Sequence, residues 1–253
     1  MTFKVVIPAR FASTRLPGKP LLPILGRPMI QHVHARAIES GAEQIVIATD
    51  DERIVTAARK FGADVCLTSS SHVSGTERVA EVCRQYGWSD ETVVVNLQGD
   101  EPCVPPELLD QVAGDMDLHT DAHIATLATE ISTQSELFDP HVVKVVTNGE
   151  GYALYFSRAP IPWHRDEFIK QNQRLPTSVA FYRHVGIYAY RAGYIQEYTA
   201  LQASPLEQAE SLEQLRALWY GSRIHVSTAL RHPGQGVDTQ DDLVRVARFL
   251  EGA

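Results

Sequence analysis

The sequence predicts an α/β fold: a doubly wound, mostly parallel nucleotide-binding sheet with a smaller sheet subdomain inserted in it. Three observations carry this. Apolar strand-like runs alternate with helical patterns through the first half. Thr92–Leu97 is a run apolar enough for a strand buried on both faces of a parallel sheet. Beyond about residue 130 the strand-like runs continue with fewer helices, and no linker separates the halves. The 253 residues are therefore expected to form a single domain, 1–253, in which roughly 130–200 contribute the smaller subdomain.

In chain order, Phe3–Ile7 is short, apolar and β-branched, and predicts a buried strand. A helix is expected over Pro28–Ser40, with Met29, Val33 and Ile38 facing the core and Gly41 after its end. Gln44–Ala48 is a strand ending at Thr49-Asp50-Asp51, which can cap a helix over Glu52–Phe61. Val65–Leu67 is a short strand, and Ser74-Gly75-Thr76-Glu77-Arg78 opens a helix running to about Tyr86. After Thr92–Leu97 comes Gln98-Gly99-Asp100-Glu101-Pro102, then a helix over Pro106–Met116. Ile124–Ile131, Val142–Thr147, Ala153–Arg158, Val185–Tyr190 and Arg223–Ser227 are strand-like. Helices are expected over Pro205–Tyr220 and Thr239–Leu250, and 160–183 is an excursion rich in Pro, Arg and amides.

The loop after the first strand is Pro8-Ala9-Arg10-Phe11-Ala12-Ser13-Thr14-Arg15-Leu16-Pro17-Gly18-Lys19-Pro20. Three cations, two hydroxyls and several backbone N–H groups at the carboxyl end of a strand suit an anion with several phosphates. Residues 1–38 hold six basic residues and no acid, whereas the remainder holds 17 basic and 31 acidic ones. A chain of formal net charge −8 thus concentrates positive potential at one end, which fits a small polyanion and not nucleic acid at large. Ser13 and Pro20 stand where a Walker loop needs Gly and Ser or Thr, and no Gly-x-Gly-x-x-Gly follows the strand. Both familiar nucleotide fingerprints are absent, which also counts against a nicotinamide oxidoreductase.

The hydrophobic fraction of 44% is ample for a core, and no apolar run approaches membrane-spanning length. Nothing at the N-terminus resembles a signal peptide. Cys66, Cys83 and Cys103 are widely spaced and odd in number, which argues against a disulfide framework or zinc site and fits a reducing cytoplasm.

Asp100 follows the most apolar strand, where a carboxylate near a polyphosphate can hold Mg²⁺; the alternative is a cap of the turn before Pro102. Asp238, in Pro233-Gly234-Gln235-Gly236-Val237-Asp238-Thr239, is by pattern an N-cap, and joins a metal site only if the fold brings it beside Asp100. In the helix over 205–220, Leu212, Leu215 and Trp219 share one face and Glu210 and Gln214 the opposite one. Arg158 and Arg165 are candidate partners for a carboxylate on a second substrate. His184 and Tyr188 share a strand face, either as a structural pair or as ligand contacts. His32 and His34 are two apart on a helix and point apart, and no nucleophile arrangement is present.

Together these motifs resemble the sugar-activating cytidylyltransferases, most narrowly the branch acting on the eight-carbon acid sugar 3-deoxy-manno-octulosonate (Kdo). The match runs in order through the phosphate loop, Ala48-Thr49-Asp50, Ser74-Gly75-Thr76-Glu77-Arg78, Asn96–Pro102, Ala153–Arg158, Arg183-His184-Val185-Gly186-Ile187-Tyr188, Glu213-Gln214-Leu215-Arg216 and Gly236-Val237-Asp238-Thr239. The resemblance implies a Mg-dependent enzyme that transfers CMP from CTP to Kdo, releasing pyrophosphate and giving CMP-Kdo for lipopolysaccharide biosynthesis. It implies that Arg10, Ser13, Arg15 and Lys19 hold the triphosphate, that Ala9 and Arg78 lie near the cytosine, and that Gln98 sits between nucleotide and sugar. Asp100 and Asp238 would bind magnesium. Arg158, Arg165, His184, Tyr188, Glu213 and Gln214 would form the sugar pocket, and the small subdomain would make a homodimer. Lys19 and the arginines would stabilise charge developing on the phosphates, with Asp100 also catalytic through its metal. The rivals are CMP-activation of sialic acid or an amino-substituted Kdo, and a non-catalytic nucleotide-sensing module, which has no need of both Asp100 and Asp238.

Overall fold

Strand β1 (Lys4–Pro8) places Val5 and Ile7 on one face of the sheet and Val6 on the other, all three fully buried. The two faces belong to separate hydrophobic clusters, so the sheet is covered on both sides, as the apolar run requires. The computed structural model describes residues 2–12, 16–169 and 174–252.

After β1 come α1 (Met29–Ile38), β2 (Gln44–Thr49), α2 (Glu52–Lys60), β3 (Asp64–Leu67), α3 (Gly75–Gln85), β4 (Val93–Asn96) and α4 (Pro106–Leu118). The helix starts follow the local chemistry. The Asp51 carboxylate accepts from the Arg53 amide, the Ser74 hydroxyl accepts from the Glu77 amide, and α4 begins with proline at its first position. The second half contains β5 (Ile124–Glu130), α5 (Gln134–Phe138), β6 (Lys144–Thr147), β7 (Ala153–Ser157), α6 (Arg165–Phe168) and β8 (Tyr182–Arg191). It ends with α7 (Ala192–Ala200), α8 (Pro205–Glu210), α9 (Gln214–Trp219), β9 (Ile224–Thr228) and α10 (Gln240–Glu251).

Among the described residues the main sheet runs β9-β5-β8-β4-β1-β2-β3. Only β8 is antiparallel to its neighbours, and the remaining pairings are parallel. This is the mostly parallel sheet the alternation predicts. The ten-residue β8 pairs with β4 only through Tyr188–Arg191; its other end, Tyr182–Arg183, pairs with β6, which pairs with β7. A small antiparallel layer therefore grows from one strand of the main sheet. Lys144 fastens it: its fully buried ammonium donates to the carbonyls of Asp139, Val142 and Arg158 at 2.8, 2.6 and 2.7 Å. Burial lowers its pKa, and the three carbonyls take up all three of its donors.

The helix expected over 205–220 is two helices. Ser204 opens α8 with a capping box, Ser211 turns the chain through a left-handed conformation at φ 52°, and Gln214 begins α9. Arg216 of α9 returns a bidentate pair to Glu207 of α8 at 2.8 and 2.6 Å, locking the corner. The opposed faces expected of one continuous helix do not form: Gln214 is buried, and Glu210 is drawn to the end of β7.

Ser211 carries a side chain in a conformation that costs an L-residue about 1–2 kcal/mol. Ser211→Gly is therefore expected to match or exceed the wild type in urea unfolding, whereas Ser211→Val should lose about 1–2 kcal/mol, because a β-branched side chain tolerates that backbone poorly. An unchanged midpoint for the valine variant would contradict this reading of the corner.

Candidate active site

Three loops meet at the carboxyl ends of β1 and β4. The first follows β1, where Gly18, at φ 68°, opens a short 3₁₀ turn, Lys19–Leu21, that aims the Lys19 side chain inward. The second is Gln98–Pro102. A Cβ on Gly99 would lie 2.7 Å from the Pro8 carbonyl oxygen, so only glycine lets this loop close on the end of β1. The third, 233–238, precedes α10, and its Val237 amide donates to the Asp100 carbonyl at 2.9 Å. Buried Val237 packs in one cluster with Leu16, Ile24, Met29, Cys103, Leu243 and Val246, which ties the third loop to the other two.

The Lys19 ammonium joins all three. It donates to Asp100 Oδ2 at 2.7 Å, Asp238 Oδ1 at 3.1 Å and the Val237 carbonyl at 2.5 Å. The helix-cap role that pattern gives to Asp238 belongs instead to Thr239, whose hydroxyl caps α10 in a capping box with Asp242. Two cavities share Asp100 and Asp238 as a common wall. One, of about 270 Å³, is lined by Pro8, Ala9, Arg10, Lys19, Gly75, Arg78 and Gln98 among others. The second, of about 490 Å³, is lined by Glu101, Arg183, His184 and the 233–238 loop. Burial, with Asp100 and Asp238 nearby, pushes the Glu101 carboxyl up to about 8, so a third negative charge is disfavoured here.

Arg78 borders the first cavity, but its buried guanidinium is already engaged with the Thr68 hydroxyl, the Ser69 carbonyl at 3.3 Å and Asp50 at 3.2 Å. From Gln98 a polar chain leads across the sheet. Its amide donates to Asn96 at 3.2 Å; Asn96 and Thr76 bond the Tyr190 hydroxyl; the Thr76 hydroxyl reaches Glu213 Oε2 at 3.4 Å. Burial raises the Glu213 carboxyl above its usual range despite donors on Ser74 and Thr76, and its Oε1 is buried without a hydrogen-bond partner. His184 and Tyr188 do share a face, with ring centroids 5.2 Å apart.

Other candidates fall elsewhere. Arg158 spends its Nε on the Glu210 carbonyl at 2.7 Å and an Nη on the Pro140 carbonyl at 3.0 Å, so it braces the end of β7. The Arg165 side chain is 83% exposed, pairs with Asp166, and borders a separate depression with Trp163 and His164; the structure does not bring it to the Asp100 cleft. Gln214 is buried at the start of α9. Ser13 and Arg15 lie outside the described residues.

Residues 4–224 match the sequence family described as Cytidylyltransferase. The chain belongs to the cytidylyltransferase family. Relatives named 3-deoxy-manno-octulosonate cytidylyltransferase include those of Aeromonas hydrophila, 56% identical over 99% of both chains, and Nitrosococcus oceani, 54% identical over 99% of this chain and 97% of its own. The Coxiella burnetii relative of that name is 54% identical over 99% of this chain and its whole length. A solved structure of CMP:2-keto-3-deoxy-manno-octonic acid synthetase complexed with CTP superposes with a TM-score of 0.90 at 41% identity, covering 99% of this chain and 98% of that one. A Leptospira borgpetersenii cytidylyltransferase, at 15% identity and TM-score 0.62 over 100% of this chain and 87% of that one, shares the fold.

Sequence reasoning about this cytidylyltransferase missed Asp50, Asn96, Thr76 and Tyr190, which connect the assigned residues. Asp50, Thr76 and Asn96 stand inside the matched motifs, so position in the motif was the available signal. Tyr190 was legible only as the strand partner of β4.

His184 generates a pH prediction. The single Thr126 hydroxyl proton is claimed by the Val185 and Ile187 carbonyls at 3.1 and 2.8 Å, so the ring donates through Nε2 to Thr126 Oγ1 at 3.0 Å and keeps Nδ1 as an acceptor. Burial beside Phe156 and Tyr188 lowers its pKa from 6.5 to about 3. Below about 6.5 the unfolded chain binds a proton that the folded one refuses, so this contribution to stability is complete above that pH and lost on acidification. In His184→Asn the fall in unfolding free energy between pH 7 and 5 should be shallower, by at most about 1.4 kcal/mol per pH unit. An identical slope would mean that His184 takes up its proton normally.

Proposed function

We propose that the protein transfers CMP from CTP to the C2 hydroxyl of Kdo, giving CMP-Kdo and pyrophosphate for lipopolysaccharide biosynthesis. The single observation that carries the reading is the Lys19 ammonium held between Asp100 and Asp238 at the mouth of a cleft lined by Ala9, Arg10 and Gln98. Full-length relatives named for this reaction, and a close structural neighbour described with CTP, support it.

In this reading the nucleotide lies in the smaller cavity, with its triphosphate along Arg10 and Lys19. Both cations oppose the charge that builds up as pyrophosphate leaves. The C2 hydroxyl attacks the α-phosphorus in line: a bond from that oxygen to phosphorus forms, the bond to the pyrophosphate oxygen breaks, and the hydroxyl proton passes to solvent. The sugar occupies the side on which Gln98 leads to Glu213 and Tyr188, with His184 beyond. There the unpartnered Oε1 of Glu213 and Nδ1 of His184 are acceptors for its hydroxyls, and Gln98 lies between the two substrates. Rate enhancement comes from positioning and preorganised charge, without a covalent intermediate.

Asp100 and Asp238 fit a magnesium ion: two hard carboxylate oxygens already converge on one cation beside the phosphate cleft. When bound, magnesium would neutralise phosphate charge and lower the pKa of the attacking hydroxyl. The small antiparallel layer would carry the homodimer contact. Exposed Trp163, Ile169 and Val179 stand in the segment that joins β7 to β8, and a groove of about 990 Å³ runs between 130–138 and 174–181. No helix among the described residues is long and apolar enough to cross a membrane. Three buried free thiols and consumption of CTP fit a cytoplasmic setting.

Pyrophosphate release from CTP is expected with Kdo and Mg²⁺, and neither with N-acetylneuraminate nor without sugar. Glu213→Gln should raise the KM for Kdo roughly tenfold or more while CTP binding holds, since a hydrogen bond to a charged group is worth about 1.5–3 kcal/mol. Turnover with N-acetylneuraminate in preference to Kdo would overturn the substrate, and nucleotide binding with no turnover on any acid sugar would favour a sensing module.

A further inference from the structure

The segment 69–74, between β3 and α3, has no regular secondary structure, yet His72, Val73 and Ser74 form one wall of the proposed nucleotide cleft. Backbone groups in such a loop must find partners outside any ladder. They find them on α3. The Ser69 amide donates to Glu81 Oε2 at 2.9 Å and the Val73 amide to Glu77 Oε2 at 2.9 Å. Glu77 and Glu81 are four residues apart on one helix face, where two carboxylates repel.

The His72 ring lies between them. Its Nε2 hydrogen-bonds Glu81 Oε2, and its Nδ1 stands 3.6 Å from Glu77 Oε2. Its Nε2 is therefore taken by Glu81, while its Nδ1 faces Glu77 across a gap too long for a hydrogen bond. Burial raises the Glu81 carboxyl, but the Ser69 amide, His72 and Gln85 together hold it below the usual range. Arg78, also on α3, fixes the start of the loop through Thr68 and the Ser69 carbonyl. Ser74, at the far end, is held independently as the cap of α3.

We infer that His72 is a positioning residue for the nucleotide: bonded to Glu81 beside Glu77, it fixes the loop that walls the CTP cleft, and it does so without touching the ligand. This rests on the reading of that cleft as the CTP site. Ser74 of that wall also reaches the acid-sugar side, as a donor to the Glu213 carboxylate.

The test uses the full chain. CTP binding is measured by calorimetry without sugar, alongside KM for CTP, KM for Kdo and kcat, in His72→Ala, His72→Gln, Glu81→Gln and the His72→Ala/Glu81→Gln double variant. His72→Ala and Glu81→Gln should each weaken CTP binding roughly tenfold, as loss of a charge-assisted hydrogen bond predicts, with kcat and the KM for Kdo within a factor of about three. His72→Gln, which keeps a donor near Nε2, should recover most of the loss, and the double variant should be no worse than the weaker single. Unchanged CTP affinity in folded His72→Ala would overturn the inference. So would losses that multiply in the double variant, because they would place His72 directly on the nucleotide. A wild-type protein that binds no CTP would instead defeat the reading of the cleft, before His72 is in question.

Discussion

The ammonium of Lys19 is the point at which three loops far apart in the chain become one site. Asp100 follows β4, Asp238 precedes the last helix, and Lys19 comes from the loop after β1; a single cation satisfies a carboxylate from each of the first two. Without it two carboxylates would face one another in a partly enclosed cleft, an arrangement that raises one pKa or drives the loops apart. The backbone is shaped for the same meeting. Gly99 lets the β4 loop close on Pro8, and the Val237 amide bonds the Asp100 carbonyl. The sheet matters to function chiefly because it delivers these loops to one edge with little freedom to separate.

The site also divides chemically. On the Lys19 side stand cations and loop backbone suited to phosphates. Across Gln98 the character changes to a layer of Asn96, Tyr190, Thr76 and Glu213 joined by hydrogen bonds, with the Tyr188 ring stacked on Tyr190. Glu213 Oε1 is buried there without a hydrogen-bond partner, and an acceptor left open in such a layer is costly unless a ligand supplies the donor. The antiparallel β8 is what allows this. It inserts next to β4 and carries His184, Tyr188 and Tyr190 into the parallel sheet beside the proposed nucleotide cleft.

Most of the strands and helices were legible because their signals are local: β-branched runs, Ser74 and Asp51 as caps, Pro106 as a helix start. The break at Ser211 was not, since a serine in a left-handed turn leaves no mark in a pattern that remains helical on both sides. Helix α7 was missed because Tyr194 and Tyr198 among small residues give a weak apolar face, and its packing on α3 decides the matter. Arginine roles were the least legible. Arg78, Arg158 and Arg165 look alike as sequence, yet one is buried on Asp50, one braces two carbonyls and one lies in solvent. Their difference is tertiary, fixed by which carbonyls and carboxylates the fold places within reach.

If Lys19 occupies in the free protein the position that a divalent cation takes between Asp100 and Asp238, removing its charge should leave both carboxylates open to metal without nucleotide. Titration of Mn²⁺ into wild type and Lys19→Met, followed by the paramagnetic resonance of the free ion and with no CTP present, measures this directly. Lys19→Met should take up one Mn²⁺ at several-fold lower concentration than wild type, and adding Asp238→Asn to it should abolish that site. Equal Mn²⁺ affinity in wild type and Lys19→Met would contradict a shared position for ammonium and metal, and with it the account of how the three loops form one site.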